Sequence, residues 1–254
     1  ARMQVVVCVK QIPDPSGTYT LDPETHFLVR PDEQVLDDTD RYGVEMGLQI
    51  AQEHGGTVTL VSMGPKGSMQ GIRQALAMGA DRAVVVDDAD LKGSDALTTA
   101  KVLAAAIQRT GFDLVITGTE STDGYAGVIP QMMAELLDVP ALTYATEVKA
   151  GDGSVTIHRQ TSAGYDVVEA SLPAVVSVTA GVVEPRYPTF KGIMDAKKKE
   201  VEELTASDLG VDRTLRQRVT AVEPTPEREA GMKIEDDGEA HLKVLELLQQ
   251  KKVI

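Results

Sequence analysis

The sequence predicts an α/β protein: a mostly parallel, doubly wound sheet with helices on both faces, added antiparallel hairpins and a C-terminal arm. Three observations carry this expectation. Residues 3–9, MQVVVCV, form an unbroken Val-rich run that suits a strand buried on both faces of a parallel sheet. Strand-like and helix-like segments then alternate at short intervals, the rhythm of right-handed crossovers between parallel strands. From Tyr144 the rhythm changes to strand-like pieces separated by glycine-containing turns.

Taken in order, the first strand is followed by a turn cluster, Pro13-Asp14-Pro15-Ser16-Gly17. Residues 38–54 predict a helix, with Val44, Leu48 and Ala51 at helical spacing. Asp37, Asp38 and Thr39 are its candidate N-caps, and Gly55-Gly56 ends it. Residues 57–62 predict a strand, 64–67 a loop, and 68–78 a helix stopped by Gly79. A strand at 83–86 leads to an Ala/Leu-rich helix at 94–109 that Ser94 can cap. A strand at 114–117 and a helix at about 128–137 follow. Residues 147–150, 154–160, 165–171 and 174–178 read as hairpin strands, turning at Gly151-Asp152-Gly153 and Ala163-Gly164. Past Val183 the chain turns polar, and a helical apolar pattern returns only at 241–248. This divides the chain into an α/β nucleotide-binding domain, 1–183, and a loop-and-arm region, 184–254. The arm is poor in core of its own; it either orders on a partner surface or stays solvated.

At 254 residues the chain can build a substantial core. Aromatic residues make up 4% and Trp is absent, so the core falls to Val, Leu, Ile, Ala and Met. A net charge of −14 argues against wrapping nucleic acid or lying on an anionic membrane. The single cysteine, Cys8, excludes an internal disulfide and fits a reducing compartment. No apolar run approaches the roughly 20 residues that span a bilayer. There is no signal-peptide pattern, so the expected location is cytoplasmic.

Ligands of open parallel sheets bind beyond the carboxyl ends of the strands, where strand order reverses. Three loops should gather there: one after Val9, carrying Lys10; one after Val61, carrying Met63-Gly64-Pro65; and one after Ile116. The third reads Gly118-Thr119-Glu120-Ser121-Thr122-Asp123-Gly124-Tyr125-Ala126-Gly127. Its glycines allow close approach of backbone to ligand, and the following helix offers free N–H groups to a phosphate. It is neither a Walker loop nor a dinucleotide fingerprint. No catalytic constellation accompanies it. His26, His54, His158 and His241 sit in unrelated segments without metal-ligand spacing. Cys8 lies in a buried strand and reads as a small apolar residue. The pattern points to a binding or carrier protein without a metal site or a self-contained active site.

A second segment stands out. In 183–199, VEPRYPTFKGIMDAKKK, a large apolar side chain, Phe190, lies between a Pro-flanked turn and Lys197-Lys198-Lys199. A chain so poor in aromatics has little reason to place one there unless something outside the fold reads it.

These residues carry a resemblance. Over essentially its whole length the chain resembles the β subunit of electron-transfer flavoproteins. The landmarks are VVVCVKQIPD, GPKGSMQGIRQALAMGADRAV, LVITGTESTDG, LPAVVSVTAGVVEPRYPTFKGIMDAKKK and TAVEPTPEREAGMKIED. The resemblance implies an adenine-nucleotide-hydrolase-like fold and a heterodimer with an α subunit that holds the redox-active FAD. It implies electrons taken from dehydrogenases, acyl-CoA dehydrogenases among them, and passed to a membrane quinone oxidoreductase. It further implies a structural AMP in this subunit. By position, its pocket would comprise Cys8, Asp37, Asp38, Thr39, Asp40, Met63, Gly118, Thr119, Glu120, Ser121, Thr122, Asp123, Gly124, Tyr125, Ala126, Gly127, Val128 and Ile129. Thr122, Asp123 and Gly124 would sit nearest the ligand, with the amides of residues 127–129 at the phosphate.

A bifurcating branch of the same family carries a second FAD in place of AMP, with a loop typically reading Asp-Gly-Asp-Thr-Ala-Gln-Val-Gly-Pro. Here Tyr125 and Ala126 replace the Asp-Thr pair, which favours AMP. The alternatives are that second FAD and a stand-alone adenine-nucleotide-binding protein similar to universal stress proteins. Where some members carry an aromatic residue near the flavin, this chain has Pro15. The resemblance also gives 183–199 a role: docking the dehydrogenase through an apolar anchor at Phe190, with Glu184, Arg186, Tyr187, Lys191, Ile193 and Met194 around it. Lys197 to Lys199 either support docking electrostatically or form a solvated helix end.

Overall fold

The computed structural model describes residues 2–151, 153–223, 225–228 and 230–254. Asp152 of the expected turn, and Pro224 and Glu229 of the late motif, lie outside them. The chain divides into two compact units, 1–220 and 221–254.

In the first unit the elements follow in order β1 (Gln4–Cys8), β2 (Gln11–Ile12), β3 (Val35–Leu36), α1 (Asp40–His54), β4 (Thr57–Met63), α2 (Gln70–Met78) and β5 (Arg82–Val86). Next come α3 (Ala96–Thr110), β6 (Leu114–Gly118), α4 (Ile129–Leu137), β7 (Ala141–Gly151), β8 (Ser154–Thr161), β9 (Gly164–Ser171) and β10 (Ala174–Val178). The unit closes with α5 (Phe190–Ala196), β11 (Val201–Leu204) and α6 (Ala206–Leu209). One sheet has the order β11-β5-β4-β1-β6-β10-β7-β8-β9. It is parallel from β11 through β7 and antiparallel only in β7-β8-β9. The α/β class and the mostly parallel sheet are as the sequence predicts.

Strand periodicity sorts the core into two layers. Val5 and Val7 of β1 face the layer that contains Val44 and Leu48 of α1 and Ile72 and Leu76 of α2. Val6 faces the other layer, with Leu103 and Ile107 of α3 and Met133 of α4. Each such side chain contributes about 1.5–3 kcal/mol when fully buried, which is why a core without tryptophan suffices.

Several local expectations need correction. β10 is not a hairpin strand: it runs parallel between β6 and β7, with all five residues buried. Its AVVSV run is apolar on both faces, the signature of a central parallel strand. The hairpin β8-β9 is thus an excursion between two parallel neighbours, and β7 starts at Ala141, well before residue 147. Asp95 caps α3 in place of Ser94, accepting from Thr98 N at 2.8 Å. Helix α1 begins at Asp40, and its N-cap Thr39 makes no side-chain cap bond.

The polar stretch after residue 196 conceals β11, which adds to the sheet edge parallel to β5 and brings Leu204 and Ala206 into the core. Its VEEL sequence does not alternate and fully buries only Leu204, so its strand character comes from pairing.

The second unit carries α7 (Ala240–Gln250), in which no residue is buried; Leu242, Val244, Leu245 and Leu247 are exposed. Among the described residues no helix is long and apolar enough to cross a membrane.

Candidate functional site

Strand β1 lies between β4 and β6, so successive crossovers leave it in opposite directions and a crevice opens at the carboxyl strand ends. A cleft of about 130 Å³, partly open to solvent, occupies that position. This is below the range of about 300–1,000 Å³ usual for small-molecule sites, so a larger ligand would extend through the open side. Cys8 and Val9 at the end of β1 and Met63 at the end of β4 form apolar wall. Leu103 of α3 with Ile129 and Met133 of α4 form the rest of it. The polar lining comes from Lys10, Asp40, Thr99, Thr117 and the loop Gly118, Thr119, Glu120 and Ser121. Ala126, Gly127 and Pro130 complete the rim.

The loop after β6 is held from beneath. The Asp37 side chain is fully buried and accepts from Thr122 N and Thr122 Oγ1, both at 2.7 Å. It also accepts from Thr39 N at 3.1 Å and Thr39 Oγ1 at 2.8 Å. Asp37 therefore joins two loops rather than capping α1. Asp123 is 1% exposed at its side chain and is gripped by Lys10 Nζ at 2.8 Å and by Arg30 Nη2. Burial alone would raise its carboxyl; the two cations outweigh that and hold it below its ordinary value. Gly127 closes the loop at φ +66°, a conformation in which a Cβ would also approach Glu120 Oε2 to 3.2 Å. Pro130 sits in the first turn of α4, where a missing N–H costs nothing, and the neighbouring first-turn amides have no intrahelical partner.

The structure thus separates the sequence-derived residues into two groups. Cys8, Asp40, Met63, Gly118, Thr119, Glu120, Ser121, Ala126, Gly127 and Ile129 line the cleft. Asp37, Thr39, Thr122 and Asp123 form the support described above, and neither they nor Gly124 and Val128 are among the lining residues. Tyr125 is exposed at φ +46°, and the exposed Asp38 pairs with Arg41 at 3.2 Å. Thr99, Leu103 and Met133 went unrecognised in the sequence. They project from α3 and α4, and only packing against the strand ends distinguishes them from other helix residues.

Burial, reinforced by the charge of Asp40, pushes the Cys8 thiol up to about 12, so it stays protonated at neutral pH. Asp40 is itself held well above its ordinary value, by burial first and then by Asp37, although Lys10 N donates to its Oδ2 at 2.7 Å. A raised folded-state value means that the unfolded chain releases this proton more readily, so wild-type stability falls as pH rises above the ordinary carboxylate range. Asp40→Asn removes that penalty. Melting temperatures should show the variant more stable at pH 7, with the gain shrinking as pH falls towards 4. A pH-independent difference would contradict the burial argument. Among the described residues no cluster of three metal-ligating side chains occurs.

The 183–199 segment lies elsewhere. Thr189 caps α5, its Oγ1 accepting from Gly192 N at 3.0 Å. Phe190 is 83% exposed and Tyr187 81% exposed, with Ile193 and Met194 exposed beside them. Phe190, Ile193 and Met194 share one helix face by their i, i+3, i+4 spacing. Glu184 and Lys191 are exposed, whereas Arg186 is turned inward onto Glu45 of α1. The Lys199 ammonium donates to Leu76 O and Ala80 O at the end of α2, at 3.0 and 2.6 Å. It therefore secures α5 to the body, and only Lys197 and Lys198 are exposed.

Comparison with known proteins adds independent findings. Residues 25–209 match the family described as electron transfer flavoprotein domain. The chain is 39% identical to the electron transfer flavoprotein subunit beta of Mycobacterium tuberculosis (strain ATCC 25618 / H37Rv), over 98% of this chain and 99% of the relative. It is 34% identical to the protein of the same name from Megasphaera elsdenii, over 99% and 100%. It is also 34% identical to the caffeyl-CoA reductase-Etf complex subunit CarD of Acetobacterium woodii, over 82% and 80%.

Proposed function

The chain belongs to the electron transfer flavoprotein family, as a β subunit, and from that premise we propose that it holds a structural AMP and docks the electron-donating dehydrogenase. Family membership makes it a component of an electron carrier, partnered by an α subunit, with flavin and nucleotide as the associated cofactors. The finer reading is that electrons come from acyl-CoA or related dehydrogenases, as in fatty acid oxidation, and leave towards a membrane quinone oxidoreductase. The α subunit mainly holds the FAD, and the complex works in the cytoplasm. The flavin supplies the redox chemistry; this chain supports it and presents a surface.

The donor set of the cleft carries the AMP reading. Met63, Leu103, Ile129 and Met133 offer apolar surface to a base, and the hydroxyls of Thr99, Thr119 and Ser121 suit a ribose. Lys10 and the first-turn amides of α4 suit a single phosphate. The residues present fit the nucleotide, and none of them is arranged to attack it. Its role would be to fill the cleft and fix the loop after β6.

Mass spectrometry of the ligand released from the purified heterodimer tests this. AMP at about one per heterodimer, with a single FAD, is the expected result. Two FAD and no AMP would assign the bifurcating arrangement, and a stable ATP-binding homodimer would assign the stand-alone one.

A further inference from the structure

Glu45 lies in the second turn of α1, away from the cleft, and is a buried carboxylate that the nucleotide reading does not use. Its side chain is 4% exposed. Arg186 donates to it three times: from its backbone N to Oε2 at 3.1 Å, from Nε to Oε2 at 2.7 Å, and from Nη2 to Oε1 at 3.0 Å. Gln49 adds a hydrogen bond to Oε1 at 2.8 Å from the next turn of α1. Burial would raise this carboxyl, but the bonds from Arg186 and Gln49 prevail and keep it below its ordinary value, hence ionised.

Glu45 itself is rigidly placed, because glycines bring α1 close against the sheet. A Cβ at Gly47 would stand 2.8 Å from Val7 Cγ2, and one at Gly43 3.5 Å from Val7 Cγ1. Arg41, one turn earlier on α1, stacks its guanidinium 5.8 Å from the ring centre of Tyr187. The other end of the exposed segment is fixed to α2. Gly192 approaches so closely that a Cβ would lie 2.6 Å from Ala77 O, and Arg73 Nη1 reaches Lys199 O at 3.1 Å. Helix α5 is thus anchored from α2, and the turn that leads into it from α1.

We propose that Glu45 is a positioning residue for the docking surface: its bidentate grip on Arg186 holds the 184–189 turn in the shape that presents Tyr187 and Phe190 together. The inference rests on the docking reading above. Arg186 is then a strut of that surface rather than one of its contacts. A Gln at position 45 keeps the volume but loses the charge, and its amide turns N–H donors towards a guanidinium that can only donate. The turn then has to be ordered when the partner arrives, and ordering at that moment weakens binding without touching the chemistry.

The test uses the complete heterodimer with its α subunit, as wild type, Glu45→Gln, Arg186→Met, the double variant and Phe190→Ala. Hydrogen exchange is followed across 183–194, and electron transfer is measured from a purified acyl-CoA dehydrogenase that reduces the wild type. Glu45→Gln should speed exchange over 184–189 by about tenfold and raise the KM for the heterodimer about five- to twentyfold, with kcat held. Arg186→Met should do the same, and the double variant no more than either single change, since both remove one contact. Wild-type exchange and KM in Glu45→Gln, alongside a raised KM in Phe190→Ala, would overturn the positioning role and leave docking standing. A wild-type KM in Phe190→Ala would remove the docking reading, and this inference with it.

Discussion

Replacing Phe190 with alanine should raise the KM of the heterodimer for its dehydrogenase by about thirtyfold, the effect of losing a central apolar anchor of about 2 kcal/mol. The ring is 83% exposed in a protein with few aromatic residues, so it stabilises the isolated fold little. Melting temperature, flavin content and nucleotide content should therefore stay at wild-type values. That combination matters, because a variant that merely unfolds α5 would also lose the contacts of Arg73 and Lys199 beneath it. Phe190→Leu keeps an apolar anchor and should recover most of the loss. Stopped-flow reduction by the dehydrogenase, with the heterodimer concentration varied, gives the KM directly. Transfer kinetics equal to wild type would show that docking occurs elsewhere.

The second large effect belongs to a residue that lines no cavity. Asp37→Ala should cost on the order of 3–5 kcal/mol, because it removes a fully buried acceptor shared by two backbone N–H groups and two hydroxyls. In a chain of this size that lowers the melting temperature by about 10 °C. The loop after β6 should loosen at Thr122, and nucleotide co-purifying with the heterodimer should fall to a small fraction of wild type. Asp38→Ala is the matched control. Its carboxylate is 81% exposed and, among the described residues, pairs with Arg41 alone, so stability should be almost unchanged. Equal behaviour of the two variants would refute the role of Asp37 as a tether between the first and third loops.

The contrast between these neighbouring aspartates shows where sequence reading stops. Asp37, Asp38 and Asp40 precede a helix, and capping accounts for such a cluster on local grounds. The structure gives each a different environment: Asp37 buried between loops, Asp38 in solvent, Asp40 at the cleft wall. Nothing within a few residues of them encodes that difference. It arises because Thr122, over eighty positions away in sequence, is brought against Asp37 when β6 pairs with β1. Likewise Arg30 meets Asp123, and Arg186 meets Glu45, across separations no local pattern reports. β10 and β11 teach the same lesson for strands. A buried five-residue run and a polar edge strand both take their identity from their neighbours in the sheet.

What the sequence by itself determined is the part of the structure governed by short-range periodicity. It specifies Val-rich central strands, amphipathic crossover helices, glycine stops, a loop after β6 suited to close backbone approach, and the family landmarks along the chain. Tertiary structure alone decided which polar residues line the cleft and which support it, and that Lys199 and Arg186 fasten the 183–199 segment to α2 and α1. The physical reason is that hydrophobic pattern repeats every two or 3.6 residues and can be read locally. A buried charge is stable only beside a partner that the fold brings from elsewhere in the chain.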